Sequence, residues 1–288
     1  MLAFLASTAV TPQRTTATLY ERVEPTTEVK RDHYRLCPQR KRYPVPSKMQ
    51  RWMTSSAGEE AYLEEHFFKQ VDYGSYFDIG CGDGITNSST HYFYHVKRWT
   101  GICIEPNFDK HSVIYKADPG RANRIDGIRV AIAPYNDNSV MYSPFYGLQV
   151  KENPAGLWYQ YYHPYEVFAV QTINPERIQE LFYDNSNYPY TKRTVHLVSI
   201  DTDGTEVDIV RSWPFKFNCV KAFSIANKFW CDKHSNVVAL QEILHPQGYF
   251  HNASLGDKEI FIRSAACPLI IDDREFRLGP LPDSDDDD

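Results

Sequence analysis

The sequence predicts an α/β fold built around a mostly parallel sheet. Short apolar runs that end at glycine or proline alternate with segments of helical spacing, and 288 residues are enough for one large domain. Strands that alternate with helices form parallel sheets with right-handed crossovers. We therefore expect one layered domain with helices on both faces of the sheet.

Composition divides the chain into three parts. Residues 1–52 are rich in Thr, Pro, Arg and Lys, and they predict an irregular basic arm. The tail, residues 276–288, holds five aspartates in its last six positions and predicts disorder, because like charges repel and bury no apolar surface. The five aspartates of this tail account for most of the net charge of −6, so the rest of the chain, residues 1–282, carries a net charge of only −1. That overall charge neither requires nor excludes a nucleic-acid partner for the domain at 53–275.

The first part of the domain predicts strands separated by helices. The segment 58–70 has apolar residues at helical spacing and acids at its start, where the helix dipole favours them. Three apolar runs have the length and boundaries of buried strands. The predicted order is helix 58–70, strand 75–80, helix 87–98, strand 99–105, helix 107–116 and strand 128–133.

A tyrosine-rich segment then interrupts the alternation. Residues 134–172 contain Pro, Gly, Asn and seven tyrosines and predict an inserted hairpin or lid. The alternation resumes afterwards and ends in two adjacent runs that predict an antiparallel hairpin. The predicted order is helix 174–185, strand 195–200, helix 205–213, strand 220–226, helix 237–244 and strands 249–252 and 259–263.

A glycine-rich turn follows the first predicted strand. Asp78-Ile-Gly-Cys-Gly-Asp-Gly84 has three glycines in five positions, which let the backbone approach a nucleotide-type ligand closely. Glu105 ends the next strand, where a carboxylate accepts hydrogen bonds from ribose hydroxyls. Dinucleotide sites usually show G-x-G-x-x-G, so this G-x-G-x-G spacing and its leading aspartate favour S-adenosylmethionine over NAD.

Four motifs, in order, resemble those of FkbM-type class I S-adenosylmethionine-dependent methyltransferases. The motifs are Ser55-Ser-Ala-Gly-Glu-Glu60, Tyr76-Phe-Asp-Ile-Gly-Cys-Gly-Asp-Gly84, Trp99-Thr-Gly-Ile-Cys-Ile-Glu-Pro-Asn107 and Ser199-Ile-Asp-Thr-Asp-Gly-Thr-Glu206. The resemblance extends over residues 55–264. It implies a Rossmann-like sheet of seven strands, mostly parallel with an antiparallel last strand. It also implies S-adenosylmethionine as methyl donor and O-methylation of a sugar or another small hydroxylated acceptor.

The resemblance further implies which residues hold the donor. The glycine loop and Asp78 hold the methionine part, Glu105 holds the ribose, and Glu59 approaches the methionine end. The full implied set is Glu59, Asp78, Gly80, Cys81, Gly82, Asp83, Gly84, Glu105, Pro106, Asn107, Ala131 and Ile132, of which the last two flank the adenine.

Acidic residues after the fourth predicted strand are the candidates for catalysis. Asp201 lies at the edge where an open α/β sheet places its chemistry, so we expect it to remove the proton of the acceptor hydroxyl. Asp203 and Lys228 complete the predicted catalytic set. Alternatively, Asp201 caps the next helix, or it gathers a divalent cation with Asp203 and Glu206. The acids come from a single turn, so we do not favour a metal.

Two other functions stay open. An RNA cap or ribose methyltransferase fits the basic residues within 35–51 and a Lys-Asp-Lys-Glu arrangement, although a solvated basic loop explains the same charges. That arrangement would combine Asp201, Lys228 and Glu259 with Lys48 or Lys69. A binding module without catalysis would keep the same fold. The sequence leaves the oligomeric state open.

The cysteines, the hydropathy and the sequons predict where the chain resides. None of the six cysteines forms a C-x-x-C pair, so we expect neither a zinc site nor a disulfide framework. The chain contains no run of about 18 apolar residues, so the sequence predicts no transmembrane helix. A glycan on the sequon at Asn87 would obstruct the predicted cofactor pocket, and a cytoplasmic location avoids that conflict.

Overall fold

The computed structural model describes residues 40–107, 127–128, 130–133, 137–143, 147–149, 168–178, 194–202, 204–216, 219–227 and 236–266. Most of the predicted arm, the helix predicted over 107–116 beyond its first residue, and the acidic tail lie outside these residues. Asp203 and Lys228, two of the predicted catalytic residues, also lie outside them.

The described residues form eleven strands. In chain order they are β1 Ser75–Ile79, β2 Thr100–Ile104, β3 Gly127–Ile128, β4 Ala131–Ile132, β5 Asp137–Ser143, β6 Gly147–Gln149, β7 Phe168–Ile173, β8 Thr194–Ile200, β9 Cys219–Ala226, β10 Tyr249–Leu255 and β11 Lys258–Arg263.

Seven of these strands form the main sheet, in the order β10-β11-β9-β8-β1-β2-β3. The neighbours from β9 to β3 are parallel, whereas β11 runs antiparallel to both β9 and β10. Six of the strands have five or more residues, and β3 at the edge has only two. This arrangement confirms the predicted Rossmann-like class I methyltransferase fold with its antiparallel last strand.

A second sheet has the strand order β4-β7-β5-β6. Here β5 and β6 form an antiparallel hairpin, and β4 lies parallel to β7. The prediction of one strand over 128–133 is wrong, because the backbone pairs with β2 up to Ile128 and with β7 from Ala131 onwards. An apolar run shows that a strand is buried, but it does not identify the strand's partner.

Within the described residues, four helices with defined ends flank the main sheet: α1 Glu59–Leu63, α2 His91–His95, α3 Glu206–Arg211 and α4 Val237–Leu244. A π-helical turn, Glu64–Phe68, continues α1 and completes the helix predicted over 58–70. Short 3₁₀ turns lie at Ser47–Met49 and His245–Gln247. No helix within the described ranges is long and apolar enough to cross a membrane.

Helix α2 is shorter than the helix predicted over 87–98. Asn87 has a φ of 57°, which is incompatible with a right-handed helix. The Ser88 hydroxyl then accepts the N–H groups of Thr90 and His91, at 3.2 and 3.1 Å, so a side chain replaces the first helical hydrogen bonds. The helix therefore begins at His91.

Both faces of the main sheet are buried. Along β1, Phe77 and Ile79 enter one hydrophobic cluster, while Tyr76 enters another. The first cluster includes apolar residues of α3 and α4, and the second includes apolar residues of α1 and α2. Since successive side chains of a strand point to opposite faces, helices cover both faces of the sheet, as predicted.

Two cysteines are joined across neighbouring strands, which makes the prediction of no disulfide wrong. Cys81 and Cys103 form a disulfide with their Cα atoms 5.6 Å apart, and Cys219 is disulfide-bonded as well. Asp78 pairs with Cys103 in the parallel register of β1 and β2, so the loop after β1 passes beside β2. Spacing along the chain cannot reveal this pair, because its members are 22 residues apart.

Candidate functional site

A cavity of about 230 Å³ lies at the carboxyl end of the parallel strands. The segments that follow β1, β2 and β8 line it, together with Val130–Ile132 and the first residue of β11. In open α/β sheets, ligands bind in the crevice at this edge. The cavity is therefore the place to test the predicted site residues.

The glycine loop forms the middle of the cavity wall. Gly80, Gly82 and Gly84 all have positive φ, at 80°, 61° and 72°. The N–H groups of Gly80 and Cys81 donate to the carbonyl oxygen of Ile104, at 2.8 and 3.3 Å. A Cβ on Gly80 would overlap the carbonyl oxygen of Asp201. Glycine is required here because the backbones after β1 and β8 touch.

Glu105 connects the glycine loop to the turn after β2. The residue is only 3% exposed, and its carboxylate accepts the N–H groups of Gly82, at 2.9 Å, and Asn107, at 2.8 Å. Each carboxylate oxygen has two lone pairs, so the same group can also accept hydrogen bonds from ribose hydroxyls. Glu105 and Pro106 both line the cavity, whereas Asn107 does not.

Val130, Ala131 and Ile132 form an apolar strip near Glu105. These side chains are at most 8% exposed, and all three line the cavity. A flat apolar ring such as adenine fits a strip of this kind. The structure thus brings the predicted adenine-flanking residues, Ala131 and Ile132, to the same cavity as the glycine loop.

Asp78 and Glu59 are both buried, but they relate to the cavity differently. Asp78 lines it, and its carboxylate accepts the Thr90 hydroxyl at 2.6 Å. Glu59 is outside the lining and accepts the hydroxyl of Ser89, which does line the cavity, at 2.9 Å. Burial raises the pKa of Glu59 above its ordinary value, with opposing effects from Lys258 and local hydrogen bonds.

Asp83 and Gly84 lie outside the cavity lining. Asp83 accepts the N–H groups of Ile85 and Thr86, at 2.9 and 2.6 Å, and the hydroxyl of Thr86 at 2.8 Å. These contacts stabilise the turn that leads out of the glycine loop. Asp83 therefore shapes the loop, while Gly80, Cys81 and Gly82 form the wall.

Asp201 lines the cavity directly after β8, and two strands, β1 and β2, separate β8 from β3, after which the apolar strip begins. Its N–H donates to the carbonyl oxygen of Ile79 at 2.8 Å, which fixes it beside the glycine loop. The ammonium of Lys258 donates to Asp201 Oδ2 at 2.6 Å. Burial lowers the pKa of Lys258, but the charges of Asp201, Glu59 and Asp257 outweigh burial and hold that pKa above its ordinary value.

Glu206 supplies the contacts that begin α3. Its carboxylate accepts the N–H groups of Thr202 and Gly204 at 3.0 to 3.1 Å. A carboxylate in the first turn also complements the helix dipole. Among the described residues, no group of three His, Cys, Asp or Glu side chains has the arrangement of a metal site.

Glu259 belongs to a different polar network, outside the cavity lining. Its carboxylate contacts Arg40 at 2.6 Å, Asn227 at 2.8 Å and His251 at 2.8 Å. Lys258 and Glu259 are neighbours in β11 and therefore point to opposite faces of the sheet. The structure thus places a lysine beside Asp201, but it separates Glu259 from that pair.

Sequence reasoning missed several polar residues of the cavity, above all Lys258. Ser88, Ser89, Ser199 and Thr202 also line the cavity. Lys258 shares a strand face with Ile260 and Ile262, both of which pack in the hydrophobic cluster beside α1. A lysine on an otherwise apolar face was the available indication that the side chain is buried and paired.

No protein-family model matches the chain, and no curated protein does either. Three of the solved structures with a similar fold are methyltransferases. A candidate RNA methyltransferase from Pyrococcus horikoshii is 9% identical, with 81% of this chain and 98% of that chain covered and a TM-score of 0.38. Methyltransferase FkbM from Methylobacillus flagellatus is 12% identical, with 81% of this chain and 57% of that chain covered and a TM-score of 0.38. A SAM-dependent methyltransferase from Aquifex aeolicus is 11% identical, with 76% of this chain and 97% of that chain covered and a TM-score of 0.35. This chain covers only 57% of the FkbM protein. Identities this low concern the fold alone.

Proposed function

We propose that the chain is an S-adenosylmethionine-dependent O-methyltransferase that acts on a hydroxyl of a sugar or another small hydroxylated acceptor. The observation that carries the proposal is the order of groups along one cavity. Along the sheet, β3, β2, β1 and β8 lie side by side in that order, and the cavity-lining residues that follow them are Val130–Ile132, Glu105, the glycine loop and Asp201. This order matches the adenine, ribose and amino-acid parts of the donor, whose methyl-bearing sulfur joins the ribose to the amino acid and would lie between Glu105 and Asp201.

The residues present fit this donor. Gly80 and Gly82 present backbone to the cavity, Glu105 offers carboxylate oxygens to the ribose, and Val130–Ile132 offer an apolar surface to the adenine. When bound, the donor supplies an electrophilic methyl group. Asp201 takes the proton that the acceptor oxygen loses as that oxygen bonds to the methyl carbon. A base in this position contributes about 10²- to 10⁴-fold to the rate.

Calorimetry with purified protein tests the donor site. We expect S-adenosylmethionine and S-adenosylhomocysteine to bind, and NADH not to bind. Glu105→Gln should weaken donor binding by about tenfold or more, because hydrogen bonds to charged groups contribute roughly 1.5 to 3 kcal/mol. Glu242→Gln, an exposed site on α4, is the matched control and should leave binding unchanged. NADH binding without donor binding would contradict the proposal.

Turnover distinguishes an enzyme from a binding module. Labelled donor should transfer its methyl group to simple methyl glycosides more readily than to capped RNA. Asp201→Asn should abolish this transfer and leave the affinity for S-adenosylhomocysteine unchanged, because the substitution removes the base and keeps its shape. Donor binding without transfer to either acceptor would favour a binding module.

RNA methylation is the second candidate, and the end of the arm favours it. Lys41, Arg42, Lys48 and Arg51 are all exposed, and the Arg51 guanidinium lies 4.9 Å from the ring centre of Trp52. Clustered cations attract phosphates, and aromatic rings stack on bases. Methylation of capped RNA that weakens steeply with salt would support this candidate over the small-acceptor proposal.

The cytoplasmic location stays a prediction. A disulfide such as Cys81–Cys103 is more typical of oxidising compartments than of the cytoplasm. Fractionation of cells that express the full chain, followed by non-reducing peptide mapping of Cys81 and Cys103, tests the location and the bond together.

A further inference from the structure

The ion pair between Lys258 and Asp201 is unusual because its two partners differ in exposure. The Lys258 side chain is 2% exposed, whereas that of Asp201 is 29% exposed, and both residues line the cavity. The ammonium thus approaches Asp201 Oδ2 from the protein interior, and the Asp201 side chain borders the cavity. A buried ammonium is stable only when it is paired, and Asp201 is its hydrogen-bonded partner.

The backbone holds this pair in a fixed position relative to the donor site. The N–H of Asp201 bonds to Ile79, and its carbonyl group touches Gly80, the first glycine of the loop. Lys258 begins β11 and pairs in register with Ala226 of β9. Both charges are therefore carried by the sheet rather than by a mobile loop.

We propose that Lys258 is a positioning residue for methyl transfer, which holds Asp201 ionised and aimed at the place where the acceptor hydroxyl meets the methyl group of the donor. This inference rests on the proposed function and adds to it the group that orients the base. The ammonium stabilises the carboxylate form of Asp201, which is the form that can accept a proton. During transfer, the proton leaves the acceptor oxygen for Asp201, and Asp201 then releases it to solvent.

The pair also favours one class of acceptor. Its two charges cancel, so it does not attract a charged acceptor group. A carboxylate or phosphate would meet the Asp201 anion, which is the more exposed partner of the pair. A neutral hydroxyl can approach Asp201 without that repulsion, which agrees with O-methylation.

Donor and product differ in charge at sulfur, which provides a readout that needs no acceptor. S-Adenosylmethionine carries a positive sulfonium, whereas S-adenosylhomocysteine has a neutral thioether at the same place. The ratio of the two dissociation constants therefore reports the charges that face the sulfur. A substitution that only loosens the fold should weaken both ligands alike.

Calorimetry of five variants with both ligands tests the inference. In Lys258→Met, we expect the affinity for S-adenosylmethionine relative to S-adenosylhomocysteine to rise roughly threefold or more, because the Asp201 charge is no longer balanced. Asp201→Asn should lower the ratio by a similar factor. The double variant should return to within about twofold of the wild-type ratio, and Lys258→Arg should retain that ratio.

Lys97→Met is the matched control. Lys97 is also a buried lysine in ion pairs, with Glu64 and Asp72, and it is not among the residues that line the cavity. This substitution should leave the ratio unchanged even where it lowers the melting temperature.

Each outcome decides one question. If the wild-type chain binds neither ligand, the proposed function fails. If it binds both and folded Lys258→Met weakens or preserves them equally, the proposed function stands and the inference about Lys258 is overturned. If Lys258→Met does not fold, the other substitutions decide: an unchanged ratio in Asp201→Asn, or a changed ratio in Lys258→Arg, overturns the inference.

Discussion

Replacing Gly80 with alanine tests how the glycine loop is held against β8. Gly80 has a φ of 80°, and an added Cβ would overlap the carbonyl oxygen of Asp201 and lie 2.8 Å from its carbonyl carbon. Both obstacles are backbone atoms, so no side-chain rotation relieves them. The hydrogen bond from Asp201 to Ile79 ties the two segments together at this point. The clash must therefore be relieved by movement of the loop or of the end of β8.

The size of the effect follows from two costs. A left-handed conformation costs an alanine about 1 to 2 kcal/mol, and overpacking against fixed atoms adds about 1 to 3 kcal/mol. The sum, roughly 2 to 5 kcal/mol, should lower the melting temperature by about 4 to 20 °C in a domain of this size. Gly248→Ala is the control, because Gly248 has a φ of 84° and no heavy atom lies within 4 Å of its added Cβ. Gly248→Ala should therefore show only the cost of the left-handed conformation.

Thermal unfolding followed by circular dichroism compares the two variants, and calorimetry with S-adenosylhomocysteine compares their cofactor sites. Gly80→Ala should melt at a lower temperature than Gly248→Ala and bind the ligand at least tenfold more weakly, whereas Gly248→Ala should bind it normally. Equal melting temperatures together with equal affinities would refute the argument that backbone contact with Asp201 fixes the loop.

Three further predictions concern ionisation and the disulfide. Burial lowers the pKa of His196 to about 4, so between pH 6.5 and 4 the unfolded chain binds a proton that the folded chain does not. The free energy of unfolding should therefore fall by about 1.4 kcal/mol per pH unit on acidification in that range. In urea titrations, His196→Asn should make the free energy of unfolding less dependent on pH. Burial opposes ionisation of Glu259, but hydrogen bonds from four side chains lower its pKa from 4.5 to about 2. The contribution of the Glu259 carboxylate to the free energy of unfolding is therefore present above pH 4.5 and lost as the pH falls towards 2. Glu259→Gln should lower that free energy by about 3 kcal/mol at pH 7 and by much less at pH 2.5. Cys81→Ser should lower the unfolding free energy by about 3 kcal/mol, and a reductant that breaks Cys81–Cys103 should destabilise the wild type while changing this variant much less.

The sequence predicted the parts of the fold that depend on local pattern. The run Ser75–Ile79 is apolar, short and followed by glycine, so both its strand structure and its burial could be recognised. Acids at the start of an apolar-periodic segment located α1, and the paired runs around Leu255-Gly-Asp257 located the final hairpin. In each case neighbours in sequence determine the structure. The glycine loop and Glu105 could be expected to line one cavity because they follow adjacent strands of the sheet.

The features that were missed depend on contacts between distant segments. Lys258 and Asp201 are 57 residues apart, and only the pairing of β11 with β9 brings them together. The same holds for Cys81 and Cys103, which the parallel register of β1 and β2 places side by side. Rules based on charge and spacing consider one segment at a time, so they could not predict these contacts between distant segments.

In the proposed site, donor binding and acceptor chemistry are linked through the backbone. Gly80 belongs to the proposed donor loop and Asp201 to the proposed acceptor end, and their backbones touch. A change that displaces one segment must therefore displace the other, and Lys258 adds a charge that holds Asp201 from the opposite side. If this linkage is correct, Gly80→Ala should alter the ratio of affinities for S-adenosylmethionine and S-adenosylhomocysteine as well as the affinity itself. A donor loop that acted independently of Asp201 would weaken both ligands by the same factor.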